Sequence, residues 1–359
     1  MIVFDAHEDL AWNALTFGRD YTCAAHETRR VEAANGSVAP RVNGVATVGL
    51  PDWLLGRVAV VVGVLFVSPA RRAFGAWDAI VYHDPQEAYA QAIRQMDYYR
   101  RLDEASTKIS LVERRPDLDA VLGTWADGTD LHDHRVGLIL SIEGADSIIE
   151  PKQAEEWYAR GVRAVGLAWA GTRYAGGTGE PGPLTDLGRA LLEVMGDLGM
   201  VLDLSHAAEA AYFEALDRYE GAVIASHSNP RRFCPSDRGL SDEMIARMVE
   251  RGGAIGIVPY NGFLKPGWRR SDRKDAVRLA DVVDAIDHVC QVAGNARHVG
   301  IGSDFDGGFG AGDIPEEFDT VADLWQLGAA LAARGYAPDD IEAILGGNFL
   351  RIYQAALPA

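Results

Sequence analysis

Cysteine, positive charge and long apolar runs are all scarce in this chain. Only Cys23, Cys234 and Cys290 occur, widely spaced, odd in number and without a C-x-x-C pair. They give no disulfide framework and suit a reducing compartment. Lys and Arg number 34 against 52 Asp and Glu, a formal net charge of -18. That balance argues against a nucleic-acid partner or an anionic membrane surface, although a small anionic substrate feels only the local site. The longest apolar run, Val58–Val67, is too short to span a bilayer. The opening MIVFDAHEDL has neither a basic n-region nor a long apolar h-region, so the expected location is the cytoplasm. No G-x-G-x-x-G follows the first apolar run, and the glycine-rich stretch Gly171–Pro183 has no GK[ST], which argues against dinucleotide and P-loop sites. There is no internal repeat, low-complexity tract or linker, so residues 1–359 are expected to form a single domain. Hydrophobic content of 48% and charged content of 24% are ordinary for a soluble globular protein.

What is present is a series of short, fully apolar, β-branched runs, most followed by amphipathic stretches. Val201–His227 shows the pattern most clearly: Val201–Ser205 and Ala222–Ser226 read as buried strands, with the helix-forming stretch Ala207–Tyr219 between them. Each strand ends in a histidine, His206 and His227. A strand–helix–strand unit has parallel strands, so both histidines stand at the same carboxyl edge, where ligands bind in parallel α/β folds. The other expected strands are Ile2–Ala6, Val58–Val67, Arg135–Ile142, Arg163–Trp169, Ala254–Tyr260 and His298–Ser303. Helices are expected at Pro85–Glu104, Ala154–Arg160, after Thr185 to Leu198, after Ser241 to Gly252, at Ala276–Ala293, and at roughly 319–334 and 338–356. Eight strands with helices between them specify an α/β fold of the (β/α)8 TIM-barrel type. Residues 11–57 form an insertion after the first strand, Gly171–Pro183 a flexible loop over the strand ends, and extra helices close the chain. A doubly wound open sheet is the alternative.

The ends of those strands carry His7 and Asp9, Glu143, His206, His227 and Asp304. In a closed barrel all would face one cavity. Each has a simpler explanation alone: a structural histidine, a helix cap at Asp9, a Glu143–Arg163 ion pair. Buried acids are rare unless paired or metal-bound, and imidazole is the commonest metal ligand. The five apart from Asp304, at one end of one barrel, therefore favour metal; mixed nitrogen and carboxylate donors suit zinc, and other divalent first-row metals are compatible. Five are too many for one tetrahedral ion and suit two. Glu143 is then the natural bridge, His7 and Asp9 serve one ion, and His206 and His227 the other. Metal lowers the pKa of bound water to about 7, providing a hydroxide nucleophile, and Asp304 is placed to move the proton to the leaving group. Asp306 is the next candidate for that role.

The combination His7-x-Asp9, Glu143-Gly144, Leu204-Ser205-His206, Ser226-His227-Ser228 and HVGIGSDFDG (His298–Gly307) resembles the membrane (renal) dipeptidase family of zinc peptidases, in the amidohydrolase superfamily. The resemblance runs in order through nearly the whole chain to GGNFLR at Gly346–Arg351. It implies a binuclear zinc site with His7, Asp9, Glu143, His206 and His227 as ligands, Asp304 as acid/base, and free dipeptides as substrates, including those with a D-residue at the carboxyl position. It implies a soluble, bacterial-type member. It also implies that an arginine eleven residues after the last histidine ligand, here Arg238, holds the substrate carboxylate. Arg231 and Arg232 compete for that role, and a surface ion pair to Asp237 or Asp242 is the simpler reading of Arg238. Tyr260 is a candidate for lining the pocket. One departure stands out: Trp169 falls where the vertebrate enzymes have a histidine that polarises the substrate carbonyl, and an indole donates one hydrogen bond but is no cation. The alternatives to a dipeptidase are another hydrolase of the same superfamily, acting on N-acyl amino acids, lactones or phosphoesters, and a catalytically inactive metal-binding protein. A homodimer is compatible with the sequence, which fixes no oligomeric state.

Overall fold

A computed structural model describes residues 1–359. The apolar runs become eight parallel strands: β1 (Val3–Glu8), β2 (Val58–Phe66), β3 (Val136–Glu143), β4 (Val162–Gly166), β5 (Val201–Asp203), β6 (Val223–Ala225), β7 (Ala254–Ile257) and β8 (Val299–Ile301). Each pairs with the next, and β8 returns to β1 through Asp5 opposite Ile301, so the sheet closes into the expected barrel. The runs have no polar alternation because both faces are covered: all nine residues of β2 are buried.

The lumen is packed from several strands at once. Phe4, Val60, Ile139, Ala164, Val201, Ile224 and Ala254 cluster with Phe349, Ile352 and Tyr353 of the last helix, Asn348–Ala356. Residues from seven strands can meet only inside the barrel, so this helix caps its amino end. Phe4 stacks on Phe349 and Tyr353 with centroids 5.6 and 5.4 Å apart. Gly300 of β8 is needed there, since a Cβ would lie 2.7 Å from the Phe349 ring.

Helices appear where their start signals lie. Thr185 and Ser241 accept backbone N–H groups from Gly188 and Met244 and cap Asp186–Leu198 and Asp242–Glu250. Several boundaries shift. The strand expected to reach Trp169 ends at Gly166, and the helix expected from Ala276 starts at Leu279, after a short 3-10 turn. The expected 338–356 helix is interrupted by a π-helical turn at Ala343–Gly347. Gly171–Pro183, expected to be a flexible loop, instead carries an antiparallel hairpin, Ala175–Gly177 against Glu180–Leu184. A short strand, Ile109–Leu111, pairs with the start of β3, and a helix follows at Arg115–Gly123. Neither was expected. The insertion after β1 forms helices at Leu10–Phe17, Ala25–Asn35, Ala39–Val42 and Leu50–Leu55. No helix is long and apolar enough to cross a membrane.

Candidate metal centre

The carboxyl ends of β1, β3, β5, β6 and β8 bring His7, Asp9, Glu143, His206, His227 and Asp304 together. Glu143 Oε1 lies 3.2 Å from both His206 Nε2 and His227 Nε2, and its Oε2 lies 3.7 Å from His7 Nε2. His7 Nε2 is also 3.9 Å from Asp9 Oδ2 and 3.9 Å from Asp304 Oδ1. Three overlapping triads have ligand atoms within 4.8 Å of one another: His7–Asp9–Glu143, Glu143–His206–His227 and His7–His227–Asp304. Glu143 belongs to two of them. Glu8, between His7 and Asp9, is engaged elsewhere and accepts a hydrogen bond from Trp53 Nε1 at 3.1 Å.

The residues fit metal ions on two independent grounds. His7 Nε2 and Asp9 Oδ1 are buried with no hydrogen-bond partner, an arrangement that costs free energy unless something else fills it. Electrostatics agree. Burial, helped by the Arg238 charge, pushes the His7 imidazole down to about 3, and burial likewise holds His206 and His227 well below the usual histidine range. Burial, with a neighbouring Asp306, lifts Asp9 to about 7. Burial and then Asp9 raise Glu143 and Asp304 well above the carboxylate range. Neutral imidazoles beside three crowded carboxylates, with the Arg238 charge acting on Glu143 and Asp304 but not outweighing their burial, are a donor set for cations.

The groups behind these side chains fix their orientation. Ser226 Oγ donates to Asp203, whose other oxygen accepts the backbone N–H groups of Ser205 and Ser226 at 2.9 Å each. A hydroxyl has one proton, so Ser226 must accept from His227 Nδ1 at 2.7 Å. That puts the imidazole proton on Nδ1 and leaves a lone pair on Nε2, facing Glu143. Thr178, on the hairpin, stands 3.0 Å from His206 Nδ1 in the same relation. His206 and Asp304 both have left-handed backbone, with φ of 65° and 55°. Histidine and aspartate tolerate this better than most residues. Gly307 is required next to Asp304: a Cβ there would lie 2.1 Å from Asp304 Oδ1.

The simpler readings of these residues fail. Asp9 precedes the helix Leu10–Phe17 but its side chain makes no capping bond. Arg163 lies at the other end of the barrel, donating to backbone carbonyls of Glu113, Tyr158 and Val162. Asp306 is no substitute for Asp304. Its carboxylate is fully buried and held by Arg19 at 2.8 Å, Tyr21 at 2.9 Å and Thr47 at 2.8 Å, tying the insertion to the loop after β8.

Above the polar floor is a cavity of about 210 Å³ that Arg238, Trp169 and Tyr260 all border. Arg238 is buried, donating to Ser228 Oγ at 2.8 Å and to the His227 carbonyl. Its supposed surface partners are occupied: Asp237 accepts from the Gly179 N–H and Asp242 pairs with His288. Arg231 pairs with Glu209, and Arg232 borders a different surface cavity. Trp12, Phe66, Phe74, Phe263, Arg270 and Phe309 also border the site, and sequence reasoning passed over them. Phe66 ends β2, so the strand-end rule that found Glu143 could have found it. Phe74 and Arg270 lie in segments without periodicity and gave no signal.

The sequence model of the family described as membrane dipeptidase (Peptidase family M19) matches residues 1–357. An uncharacterized protein in pqqA 5'region of Klebsiella pneumoniae is 32% identical over 230 residues, covering 61% of this chain and 82% of that protein. Dipeptidase aclJ of Aspergillus oryzae is 33% identical over 224 residues, covering 61% of this chain and 51% of that protein, so the match spans about half of its length. The fold matches a Rhodobacter sphaeroides metallo peptidase, crystallised with a phosphinate mimic of the dipeptide L-Ala-D-Ala, with a TM-score of 0.78 and 22% identity over 99% of each chain.

Proposed function

We propose, from the premise that this chain belongs to the membrane dipeptidase family (Peptidase family M19), that it is a binuclear zinc dipeptidase. The observation that carries the reading is the division of Glu143, with one oxygen toward His206 and His227 and the other toward His7. A carboxylate so placed suits a bridge, with His7 and Asp9 on one ion and His206 and His227 on the other. When bound, zinc supplies Lewis acidity, polarising the scissile carbonyl and acidifying water.

The chain's own residues do the rest. Asp304 accepts the proton that the attacking water loses and delivers it to the leaving amine as the C–N bond breaks. It is not needed to complete either ion, since five other ligands serve both. Arg238 reads the substrate's terminal carboxylate. Two of its five N–H groups are spent on Ser228 and the His227 carbonyl, which fix the guanidinium and leave donors for a ligand. A dipeptide has its carboxylate one residue beyond the scissile bond, so Arg238 measures length. A longer peptide would place an uncharged amide there. The proposed substrates are free dipeptides, with a D-residue allowed at the carboxyl position, as in the mimic bound by the Rhodobacter sphaeroides relative. Three free cysteines support a cytoplasmic location.

The test compares a dipeptide with its carboxyl-terminal amide on wild type and Arg238→Ala. Charge-assisted hydrogen bonds of about 1.5–3 kcal/mol correspond to a roughly ten- to hundredfold loss in kcat/KM on the dipeptide. The amide, already a poor substrate, should change little. Equal losses on both would show that Arg238 supports structure and does not read the carboxylate.

A further inference from the structure

The two sides of the cavity differ in kind. Arg238 stands on the β6 side. On the β2 and β4 side stand Trp12, Phe66, Phe74 and Trp169, a wall made only of rings. Trp169 meets Phe66 and Phe74 edge-on at 5.1 and 5.4 Å, and Trp12 meets them at 6.1 and 5.6 Å. The wall is preset by Asp78, whose carboxylate accepts from Trp12 Nε1 at 3.3 Å, Ser68 Oγ at 2.8 Å and the Phe74 N–H at 3.4 Å. That one carboxylate ties the segment carrying Phe74 to the helix carrying Trp12. Trp12 and Phe66 are 2% and 3% exposed, whereas Phe74 is 45% exposed. A preset ring left open to water beside a polar floor is apolar surface waiting to be covered.

We propose that this wall binds the side chain of the substrate's amino-terminal residue and selects large apolar, preferably aromatic, ones. The inference rests on the dipeptidase reading. With the carboxylate on Arg238 and the scissile carbonyl over Glu143, the first residue is left on the β2 and β4 side. The four rings carry no formal charge and no acceptor, and the Trp12 N–H is already given to Asp78, so an acidic or small polar first residue would lose water with little compensation. Glycine would leave the rings wet. Trp169 extends this contact surface toward the polar floor, its ring centroid 6.2 Å from that of His206.

The experiment measures kcat/KM of the zinc-loaded enzyme on Gly-Ala, Leu-Ala and Phe-Ala, and on Ala-Gly and Ala-Phe. Wild type should favour Phe-Ala over Gly-Ala by about tenfold or more. Phe74→Ala, at an exposed position that leaves the core intact, and Trp169→Ala should each shrink that ratio several-fold while leaving the Ala-Phe to Ala-Gly ratio in place. Equal rates on Phe-Ala and Gly-Ala, or a ratio that neither substitution moves, would overturn the proposal. Calorimetric binding of the same series to zinc-loaded Asp304→Asn separates the two readings. If wild type hydrolyses no dipeptide, the dipeptidase reading fails and binding alone judges the wall: tighter Phe-Ala than Gly-Ala upholds it, equal affinity overturns it.

Discussion

The two ends of this barrel are made from the same strands and do opposite things. At the amino end Phe4, Val60, Ile139 and Val201 pack against Phe349 and Tyr353, with no charge among them. A few residues further along the same strands, the carboxyl end holds His7, Glu143, His206 and His227, with buried atoms that the protein leaves unpartnered. The difference teaches a division of labour. One end supplies close packing that stabilises the barrel. The other spends some of that stability on polar groups and left-handed backbone at His206 and Asp304. Substitutions at the two ends should therefore separate into those that lose activity and those that lose stability.

Metal removal should have the largest effect. Chelator-treated protein should lose all activity and regain it with zinc, and elemental analysis of fully active protein should find two ions per chain. A fully active protein with one would break the bridging role given to Glu143. Asp304→Asn comes next. It should keep both metals and fold normally while losing a factor of roughly 10²–10⁴ in kcat. A near-normal kcat with metals bound would remove Asp304 from proton transfer. Ser226→Ala tests the layer between the two ends. It deletes the hydroxyl that orients His227, and zinc affinity read by competition with a chelator should fall about 10- to 100-fold. Unchanged affinity would mean the imidazole is held by packing alone. The smallest effect on turnover is expected from Phe349→Ala at the amino end. Loss of a buried ring should cost about 3–5 kcal/mol in denaturant unfolding, with kcat of the folded fraction almost unchanged. A drop in kcat as large as that of Asp304→Asn would mean that the ends are not separable.

How much of this was legible in the sequence depends on which end of a strand is considered. Each group placed at a strand end by pattern, His7 through Asp304, lies in the cluster, because an apolar run that stops at a histidine or carboxylate announces both the strand and its functional edge. Several strands are shorter than their apolar runs, however: β4 ends at Gly166 and Trp169 stands beyond it. Burial extends past the last ladder hydrogen bond, and hydropathy reads burial. The hairpin at Ala175–Leu184 was hidden because Gly and Pro dominate it. The aromatic wall was hidden because its rings come from four separate segments that meet only through tertiary packing. Asp306 was misjudged for a related reason. Its neighbour Asp304 suggested chemistry, whereas its partners Arg19, Tyr21 and Thr47 lie in an insertion with no readable period.

That buried knot at Asp306 links the insertion near the start of the chain to the loop after its eighth strand. Asn13 and Asn43 add hydrogen bonds to its backbone carbonyl at 2.9 and 3.1 Å. The loop bearing Asp304 thus shares its hydrogen bonds with the first fifty or so residues, and its opening is expected to release them. Backbone amides of Thr47 and Gly307, some 260 positions apart in sequence, should exchange with deuterium as one cooperative unit. During synthesis, the surroundings of Asp304 would be completed only when the eighth strand closes onto a segment made at the start.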